Sequence, residues 1–348
     1  MNDISRLLGT RLPIVQAPMA GVQAGALAAA VCEAGGLGSL PCALLTPDGM
    51  RAELELLRSR TRAPFNVNFF VHQPPKADAS REAAWREVLA PYYKEFGIDP
   101  AGIPAGPGRA PFSAELADVL APFRPAVVSF HFGLPSPELL ARVKSWGSKV
   151  LSSATTVEEA LWLESRGVDV VIAQGVEAGG HRGMFLGADI ATQLGTFALL
   201  PQVVAAVRVP VIAAGGIADA SCVRAAMALG ASGVQAGTAF LLCPEATTPA
   251  VNRAALKVRP HVTALTNLFT GRPSRGIVNR VVREVGPINA QAPAFPLATA
   301  AIAPLRAKAE AAGSGDFSPL WSGQNASGCR EVPAAEIVAA LAAGLERA

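Results

Sequence analysis

The residues from Val170 to Gly183 read VVIAQGVEAGGHRG, a run in which glycines surround one titratable imidazole. Val170 to Ala173 has the length and β-branching of a strand that is buried on both faces. The glycines that follow allow a close approach to a ligand, because they carry no Cβ. A neutral imidazole can accept a proton near physiological pH, and the adjacent Arg182 should oppose a second positive charge and favour that neutral form. His181 is therefore the first candidate for a catalytic base.

The composition favours a large core and a small ligand. The 348 residues are 51% hydrophobic and 16% charged, whereas charged residues usually make up about 25% of a chain. A formal charge of +3 without a long basic run gives no reason to expect nucleic acid or a membrane as partner. The first twelve residues lack the apolar core of a secretory signal, and the five cysteines show no CxxC spacing. We expect a cytoplasmic protein without disulfides or a metal site.

Short apolar runs alternate with alanine-rich segments of helical period, which is typical of a parallel sheet covered by helices. Eight such units favour a closed (β/α)8 TIM barrel over a doubly wound sheet. The predicted strands are Pro13–Ala17, Gly36–Leu40, Phe65–Phe69, Ala126–Phe130, Lys149–Ser153, Val170–Ala173, Pro210–Ala214 and Gly233–Ala236. The predicted helices are Ala24–Ala34, Pro47–Arg60, Ser136–Trp146, Val157–Arg166, Thr196–Val207 and Ala218–Leu229.

Two segments interrupt this repeat, one at about residues 72–112 and one at residues 244–319. Both follow predicted strands, at the end of a barrel that carries the active-site loops. We therefore expect a barrel over residues 1–243 with an insert at 72–112, and a mainly helical lid or small second domain over 244–319. Residues 320–348 should form a terminal segment and a helix that packs on the barrel.

The loops that follow the strands of a barrel meet at one face, and those after the seventh and eighth strands commonly bind phosphate through backbone N–H groups and a helix amino terminus. Gly215, Gly216, Gly237 and Thr238 would provide such a site here. The glycines could equally form only tight turns. Polar residues expected on the same face are Asn68, His131, Gln174 and His181.

Other interpretations of these polar residues stay open. Asn68 and Gln174 could satisfy loop backbone, and His131 could cap a strand. His72 and His261 lie in the two inserted segments, where we expect them to be exposed to solvent. The glycines at 35–38 do not complete a GxGxxG motif, so a Rossmann dinucleotide site is not expected.

Several segments together resemble the nitronate monooxygenase family, formerly called 2-nitropropane dioxygenases. They are QAPMAG at 16–21, FNVNFF at 65–70, AQGVEAGGHRG at 173–183 and IAAGGI at 212–217. Further matches are QAGTAF at 235–240, FTGRP at 269–273 and LWSGQ at 320–324. The resemblance extends from about residue 13 to 328. The QGxEAGGHRG form is more similar to the monooxygenases than to their reductase relatives.

The resemblance implies FMN bound noncovalently at the carboxyl face of the barrel. Its phosphate would lie on the loops after the seventh and eighth strands, and the first loop would pass close to the flavin ring. The implied cofactor-binding residues are Ala17, Pro18, Met19, Asn68, Gln174, Gly179, Gly180, Gly215, Gly216, Gln235, Ala236, Gly237 and Thr238. His131 and Trp321 would line the substrate pocket, and a homodimer is among the states that the resemblance allows.

The implied reaction oxidises an alkyl nitronate with O2 to a carbonyl compound and nitrite. A neutral nitroalkane must first lose its α-proton, and His181 matches the base of the family. The chain departs from the family in one respect, because members often line the substrate pocket with tyrosines. This chain has only Tyr92 and Tyr93, and Trp321 occupies one of those positions, so the preferred nitronate stays open.

Three alternatives remain from the sequence. A flavin-dependent enoyl-thioester reductase has a closely similar EAGGH loop, and an NADH:quinone reductase belongs to the same superfamily. Both would consume pyridine nucleotide, and the pair Gln174 and Arg182 favours the monooxygenase over either of them. A flavin-free barrel that isomerises or synthesises a sugar phosphate would purify without colour.

Overall fold

The computed structural model describes residues 3–76, 78–103 and 109–345. Eight parallel strands form one sheet. They are β1 Ile14–Gln16, β2 Ser39–Pro41, β3 Asn66–Phe70, β4 Val127–His131, β5 Lys149–Ala154, β6 Val170–Gln174, β8 Val211–Ala214 and β9 Gly233–Ala236. Their order in the sheet is β1-β9-β8-β6-β5-β4-β3-β2, and the short strand β7 belongs to a second sheet that is described below. Val15 bridges Leu37 in parallel just before β2, so the two ends of the sheet meet and the predicted TIM barrel is confirmed.

The helices that cover the barrel begin where the sequence supplies capping groups. Thr46 accepts a hydrogen bond from the Gly49 N–H at 3.1 Å, immediately before a proline in the first turn of its helix. The helices are α1 Asp3–Leu8, α2 Gly25–Glu33, α3 Pro47–Arg60, α4 Ala79–Glu95, α5 Ala114–Leu120, α6 Pro137–Ser145, α7 Val157–Ser165, α8 Thr196–Ala206, α9 Ala220–Ala228, α10 Ala250–Lys257, α11 Arg280–Glu284, α12 Ala298–Ala311 and α13 Ala334–Ala342.

Two helices, α1 and α5, lie outside both the predicted helices and the two inserted segments. Ile4 and Leu8 of α1 pack with Val127 and Val170 at the amino ends of the strands, where they cover the base of the barrel. Helix α5 belongs to the third βα unit, which the insert separates from its strand. Helix α13 packs between α2 and α9 and against β1, in the place of an eighth barrel helix.

The two inserted segments fold together into a second hydrophobic cluster. Helix α4 packs along α12, and Trp85 at that contact donates a hydrogen bond to the Ala298 carbonyl at 3.3 Å. The cluster also contains Tyr92 and Tyr93, whose hydroxyls bond to Glu284 and to a backbone carbonyl of α12. Both tyrosines of the chain therefore pack in this cluster.

A small antiparallel sheet connects this second cluster to the barrel. Its strands are β7 Gly180–His181, β10 Thr263–Thr266 and β11 Ser274–Ile277, in the order β10-β11-β7. His181 pairs with Ser274, so the residue expected in a loop lies on a two-residue strand. No helix in the described ranges is long and apolar enough to cross a membrane.

Candidate active site

Every residue that the sequence placed in the site lines one pocket at the carboxyl ends of the barrel strands. Its empty volume is about 1260 Å³, including the open mouth. Five strands extend one residue beyond their predicted ends, and three of the added residues, Phe70 in β3, His131 in β4 and Gln174 in β6, line the pocket. The residues brought together include the catalytic candidate His181, the two candidates for the substrate pocket and all the candidates for the cofactor site.

His181 lies in a nearly closed aromatic environment. Its Nε2 is 3.0 Å from the Thr270 Oγ1. The ring centroids of Phe70, Phe132, Phe295 and Trp321 lie between 5.3 and 6.0 Å from its own. We call His181, Thr270 and these four aromatic residues the histidine side of the pocket. An imidazole packed among carbon atoms loses hydration, which disfavours its charged form.

Burial is the largest cause that lowers the pKa of His181 well below its ordinary value, and neighbouring basic groups add to it. Those groups are Arg109, His131, Arg272 and His72, in decreasing order of effect. The predicted direction of the pKa shift is therefore confirmed, but the predicted cause, Arg182, was wrong.

Arg182 instead holds the end of β6 in place. Its side chain is fully buried and donates hydrogen bonds to the carbonyls of Gln174 at 2.6 Å and Gly175 at 2.7 Å, and to the side chain of Gln193 at 2.9 Å. Three directed bonds turn its guanidinium away from the imidazole. Arg182 thus shapes the backbone turn that positions His181. The charges that lower the pKa of His181 come from other residues.

Gln174 spans the loop that contains His181. Its Nε2 donates to the His181 carbonyl at 3.1 Å, and its Oε1 accepts from the Gly183 N–H at 2.7 Å. Both ends of the amide are therefore bonded within the protein. Gln174 positions the histidine while it also lines the pocket.

His131 supports the same backbone carbonyl. Its Nε2 is 3.1 Å from the His181 oxygen, and its Nδ1 is 3.1 Å from the Ser153 Oγ. A carbonyl only accepts, so Nε2 carries the proton and Nδ1 accepts from the serine hydroxyl. Burial lowers the pKa of His131 to about 3. His131 is a neutral positioning residue in this arrangement, because both of its nitrogens are engaged.

The opposite side of the pocket consists mainly of backbone. Gly215 and Gly216 have φ angles of +113° and +74°, which glycine adopts without strain. The Asn325 Nδ2 donates to the Gly216 carbonyl at 3.1 Å, and Thr196 donates to the Gly215 carbonyl at 3.0 Å. A Cβ built on Gly216 would have only Glu177 nearby, at 3.9 Å. We call Gly215, Gly216, Gly237 and Thr238 the glycine side.

Two helical turns begin near the glycine side, and only one of them is capped by a carboxylate. Helix α9 is capped by the Asp219 carboxylate, which accepts from the Cys222 N–H at 2.9 Å. A single 3₁₀ turn, Thr238–Phe240, begins at the pocket itself. An anion is favoured at a helix start that has no carboxylate of its own.

Other contacts draw the remaining loops together. The Thr238 Oγ1 accepts from the Gly323 N–H at 2.9 Å. A Cβ on Gly179 would lie 2.5 Å from that same Gly323 nitrogen, so only glycine fits there. A Cβ on Gly237 would meet Met19 Sδ at 3.4 Å, which places the first loop against the eighth.

Two amides of the pocket differ in their hydrogen bonding. The Asn68 Nδ2 donates to the Ser129 Oγ at 2.9 Å. The Gln235 Oε1 is buried and has no partner within the described ranges. A buried acceptor without a donor is costly, so Gln235 is suited to a ligand that brings an N–H or O–H group.

The expectation that His72 and His261 face solvent was wrong. His72 is 6% exposed and packs edge-on against Phe295, at 4.8 Å between ring centroids. His261 is half-buried, and its Nε2 lies 3.1 Å from the Ser322 Oγ. Both were misplaced because the inserted segments fold onto the barrel.

Sequence reasoning missed several residues that shape the pocket. Thr270 and Asn325 lie in or next to segments that carried the family resemblance, so a signal existed for both. Arg109 lies in the irregular insert, where no periodicity marked it. Phe132 has a φ of +75°, an uncommon conformation for a non-glycine residue.

The chain is similar to proteins of one enzyme family. The family model described as nitronate monooxygenase matches residues 2–344. A nitronate monooxygenase from Pseudomonas aeruginosa is 44% identical, and the match covers 98% of each chain. A nitroalkane oxidase structure from Streptomyces ansochromogenes superposes with a TM-score of 0.88 at 43% identity, covering 98% of this chain and 97% of that one. FabK from Thermotoga maritima gives a TM-score of 0.73 at 28% identity, over 98% and 95% of the two chains.

Proposed function

The chain belongs to the nitronate monooxygenase family, and we propose that it oxidises alkyl nitronates with O2 to carbonyl compounds and nitrite, using noncovalently bound FMN. The observation that carries the proposal is a neutral, buried imidazole facing a glycine-lined cradle across one pocket. Two nitronates and one O2 balance two carbonyl compounds and two nitrite ions. The chain is more similar to the nitroalkane oxidase structure, at 43% identity and a TM-score of 0.88, than to FabK, at 28% and 0.73, which supports this choice.

The residues present fit FMN. The glycine side offers positive-φ backbone and open space at Gly216, where a phosphate could accept N–H bonds. The unpartnered Gln235 amide oxygen suits the polar edge of a flavin ring. Asn68, Gly179, Gly180 and the 17–19 loop would enclose the remainder of the group. When bound, FMN supplies an electron acceptor for the nitronate and a reductant for O2.

The histidine side performs the proton chemistry. For a neutral nitroalkane, the α-carbon to hydrogen bond breaks, the proton passes to the imidazole of His181, and the electron pair moves onto the nitro oxygens. The lowered pKa keeps His181 unprotonated and available near neutral pH. Gln174 and His131 hold its backbone carbonyl in place, and Thr270 holds its ring.

The aromatic residues of the histidine side would exclude water from the reacting carbon. Trp321 packs against both His181 and Phe269, at 5.6 and 5.5 Å between ring centroids. It therefore occupies space beside the proposed base, and we propose that it limits the size of the alkyl group.

The proposal is tested by product analysis. The purified protein should carry a noncovalent flavin that is released on denaturation and identified as FMN by mass spectrometry. With ethylnitronate as the only reductant, it should consume O2 and release nitrite and acetaldehyde in equal amounts. A colourless protein that cannot be reconstituted with FMN, or O2 consumption only with NADH or NADPH, would contradict the proposal.

A further inference from the structure

Arg109 is the only lysine or arginine among the described residues that line the pocket. It lies in the insert that follows β3, and its guanidinium carbon is 5.6 Å from the Phe295 ring centroid. It is also the strongest charged influence on His181, which places it close to the proposed base. Arg109 therefore lies next to the histidine side of the pocket, beside Phe295 and close to His181.

The guanidinium of Arg109 has no hydrogen-bond or ion-pair partner within the ranges that the structure describes. The described lining of the pocket contains no aspartate or glutamate either. Burial lowers the pKa of Arg109 to about 10, so the group stays charged at neutral pH. The side chain is half-buried, and a partly desolvated charge without a partner is destabilising, so an anionic ligand would remove that cost.

The two imidazoles of the pocket cannot provide this positive charge. Burial lowers the pKa values of both His131 and His181, and both are neutral near pH 7. Arg272 stacks on Phe132, with its guanidinium carbon 3.9 Å from the ring centroid, and donates to the Met184 carbonyl. Arg109 is the remaining cation that faces the open pocket.

A nitronate group is planar and spreads one negative charge over two oxygens, as a carboxylate does. The guanidinium fork presents parallel N–H groups that match two such oxygens. Given the proposed function, we propose that Arg109 binds the two nitronate oxygens of the substrate and orients its α-carbon toward His181. Arg109 then distinguishes the anionic nitronate from the neutral nitroalkane.

The same contact serves the deprotonation of a neutral nitroalkane. As the proton moves to His181, negative charge develops on the nitro oxygens, and Arg109 stabilises it there. Arg109 also opposes the imidazolium that forms, together with the other charged neighbour, Arg272. Loss of Arg109 should therefore slow this step and raise the pH at which the base is protonated.

Arg109→Gln and Arg109→Lys test the proposal, with ethylnitronate and nitroethane as substrates. We expect Arg109→Gln to raise the KM for ethylnitronate by about tenfold or more, since a hydrogen bond to a charged group is lost. The KM for nitroethane should change by less than about threefold, while its kcat falls and the acid limb of its pH profile moves to higher pH. Arg109→Lys should recover part of the nitronate affinity.

Arg306→Gln is the matched control. Arg306 lies on α12, pairs with Glu310 at 2.7 Å and acts on Arg109 only through its charge. Its loss removes a nearby positive charge from outside the pocket, so the KM for ethylnitronate should stay within about twofold of wild type.

Titration with sodium nitrite, followed through the flavin spectrum, separates this inference from the proposed function. Wild type should bind nitrite more tightly than Arg109→Gln even if the enzyme does not turn over nitronates. Equal nitrite affinity and equal KM in both proteins would overturn the assignment. Loss of flavin from both Arg109 variants would also overturn it, because it would assign Arg109 to the cofactor.

Discussion

The two sides of the pocket are built in different ways. The glycine side consists mainly of backbone at the ends of β8 and β9. Its glycines have no Cβ atoms, which leaves open the space that side chains would occupy. The histidine side consists of side chains, two of which, Thr270 and Phe295, come from the second inserted segment. The barrel thus supplies a ligand cradle, while the inserts supply the environment that sets the protonation of His181. Substitutions on the glycine side should therefore weaken FMN binding, whereas substitutions on the histidine side should slow proton transfer.

The largest effect is expected for His181→Asn. Removal of a positioned general base typically costs about 10²–10⁴-fold, so kcat/KM for nitroethane should fall by that amount. Ethylnitronate has already lost its proton, and its kcat/KM should fall less than about tenfold. Steady-state oxygen consumption with each substrate gives the two ratios. Equal losses on both substrates would show that His181 is not the base.

Gly216→Ala should affect the cofactor and spare the proton chemistry. A residue with a Cβ at positive φ costs about 1–2 kcal/mol of stability, and the added methyl group would also enter the space proposed for phosphate. We expect the Kd for FMN to rise at least about tenfold, equivalent to about 1.4 kcal/mol, measured by fluorescence on reconstitution of the apoprotein.

Gly147→Ala is the control for that variant. Gly147 has a φ of +84° and, like Gly216, open space where a Cβ would lie, but it is outside the pocket lining. Both substitutions should lower the free energy of unfolding similarly, and only Gly216→Ala should weaken FMN binding. An unchanged Kd in Gly216→Ala would exclude the loop from the cofactor site.

Thr270→Val tests how the histidine side orients its base. The hydroxyl that lies 3.0 Å from the His181 Nε2 is replaced by a methyl group of similar size. A neutral hydrogen bond contributes about 0.5–1.5 kcal/mol, so kcat/KM for nitroethane should fall by a few-fold to about tenfold. Thr270→Ser should restore most of it, and an equally slow serine variant would argue against the hydrogen bond.

The last effect concerns stability and not catalysis, and it depends on pH. His131 and His181 have pKa values below 6.5 in the folded protein, so the unfolded chain binds more protons between those values and pH 6.5. Stability should rise with pH through this window and fall as the pH drops below about 6.5, by at most about 1.4 kcal/mol per pH unit for each histidine. Urea unfolding at pH 7 and pH 5 measures the slope. His131→Asn should reduce it, and an unchanged slope would mean that His131 titrates normally.

The barrel could be predicted because its strands are short, apolar and regularly spaced. All eight predicted strands are present, and residues at their ends converge as the fold requires. The glycine side was predictable for the same reason, since it depends on positions after strands and on residues without side chains.

The histidine side was less predictable because it depends on how the inserts fold. His181 was identified, but the cation that acts on it most strongly is Arg109 and not its neighbour Arg182. Arg182 is adjacent in sequence, yet its three hydrogen bonds direct it toward β6. Adjacency in sequence does not fix the direction of a side chain, and long-range contacts such as those of His72 with Phe295 have no local signal.

Anaerobic mixing tests the central claim most directly. The oxidised flavoprotein is mixed with ethylnitronate in one cell and with NADH or NADPH in another, and the flavin absorbance is followed. We predict bleaching by ethylnitronate and none by either pyridine nucleotide. Bleaching by NADH or NADPH without any response to ethylnitronate would contradict the account and identify a reductase.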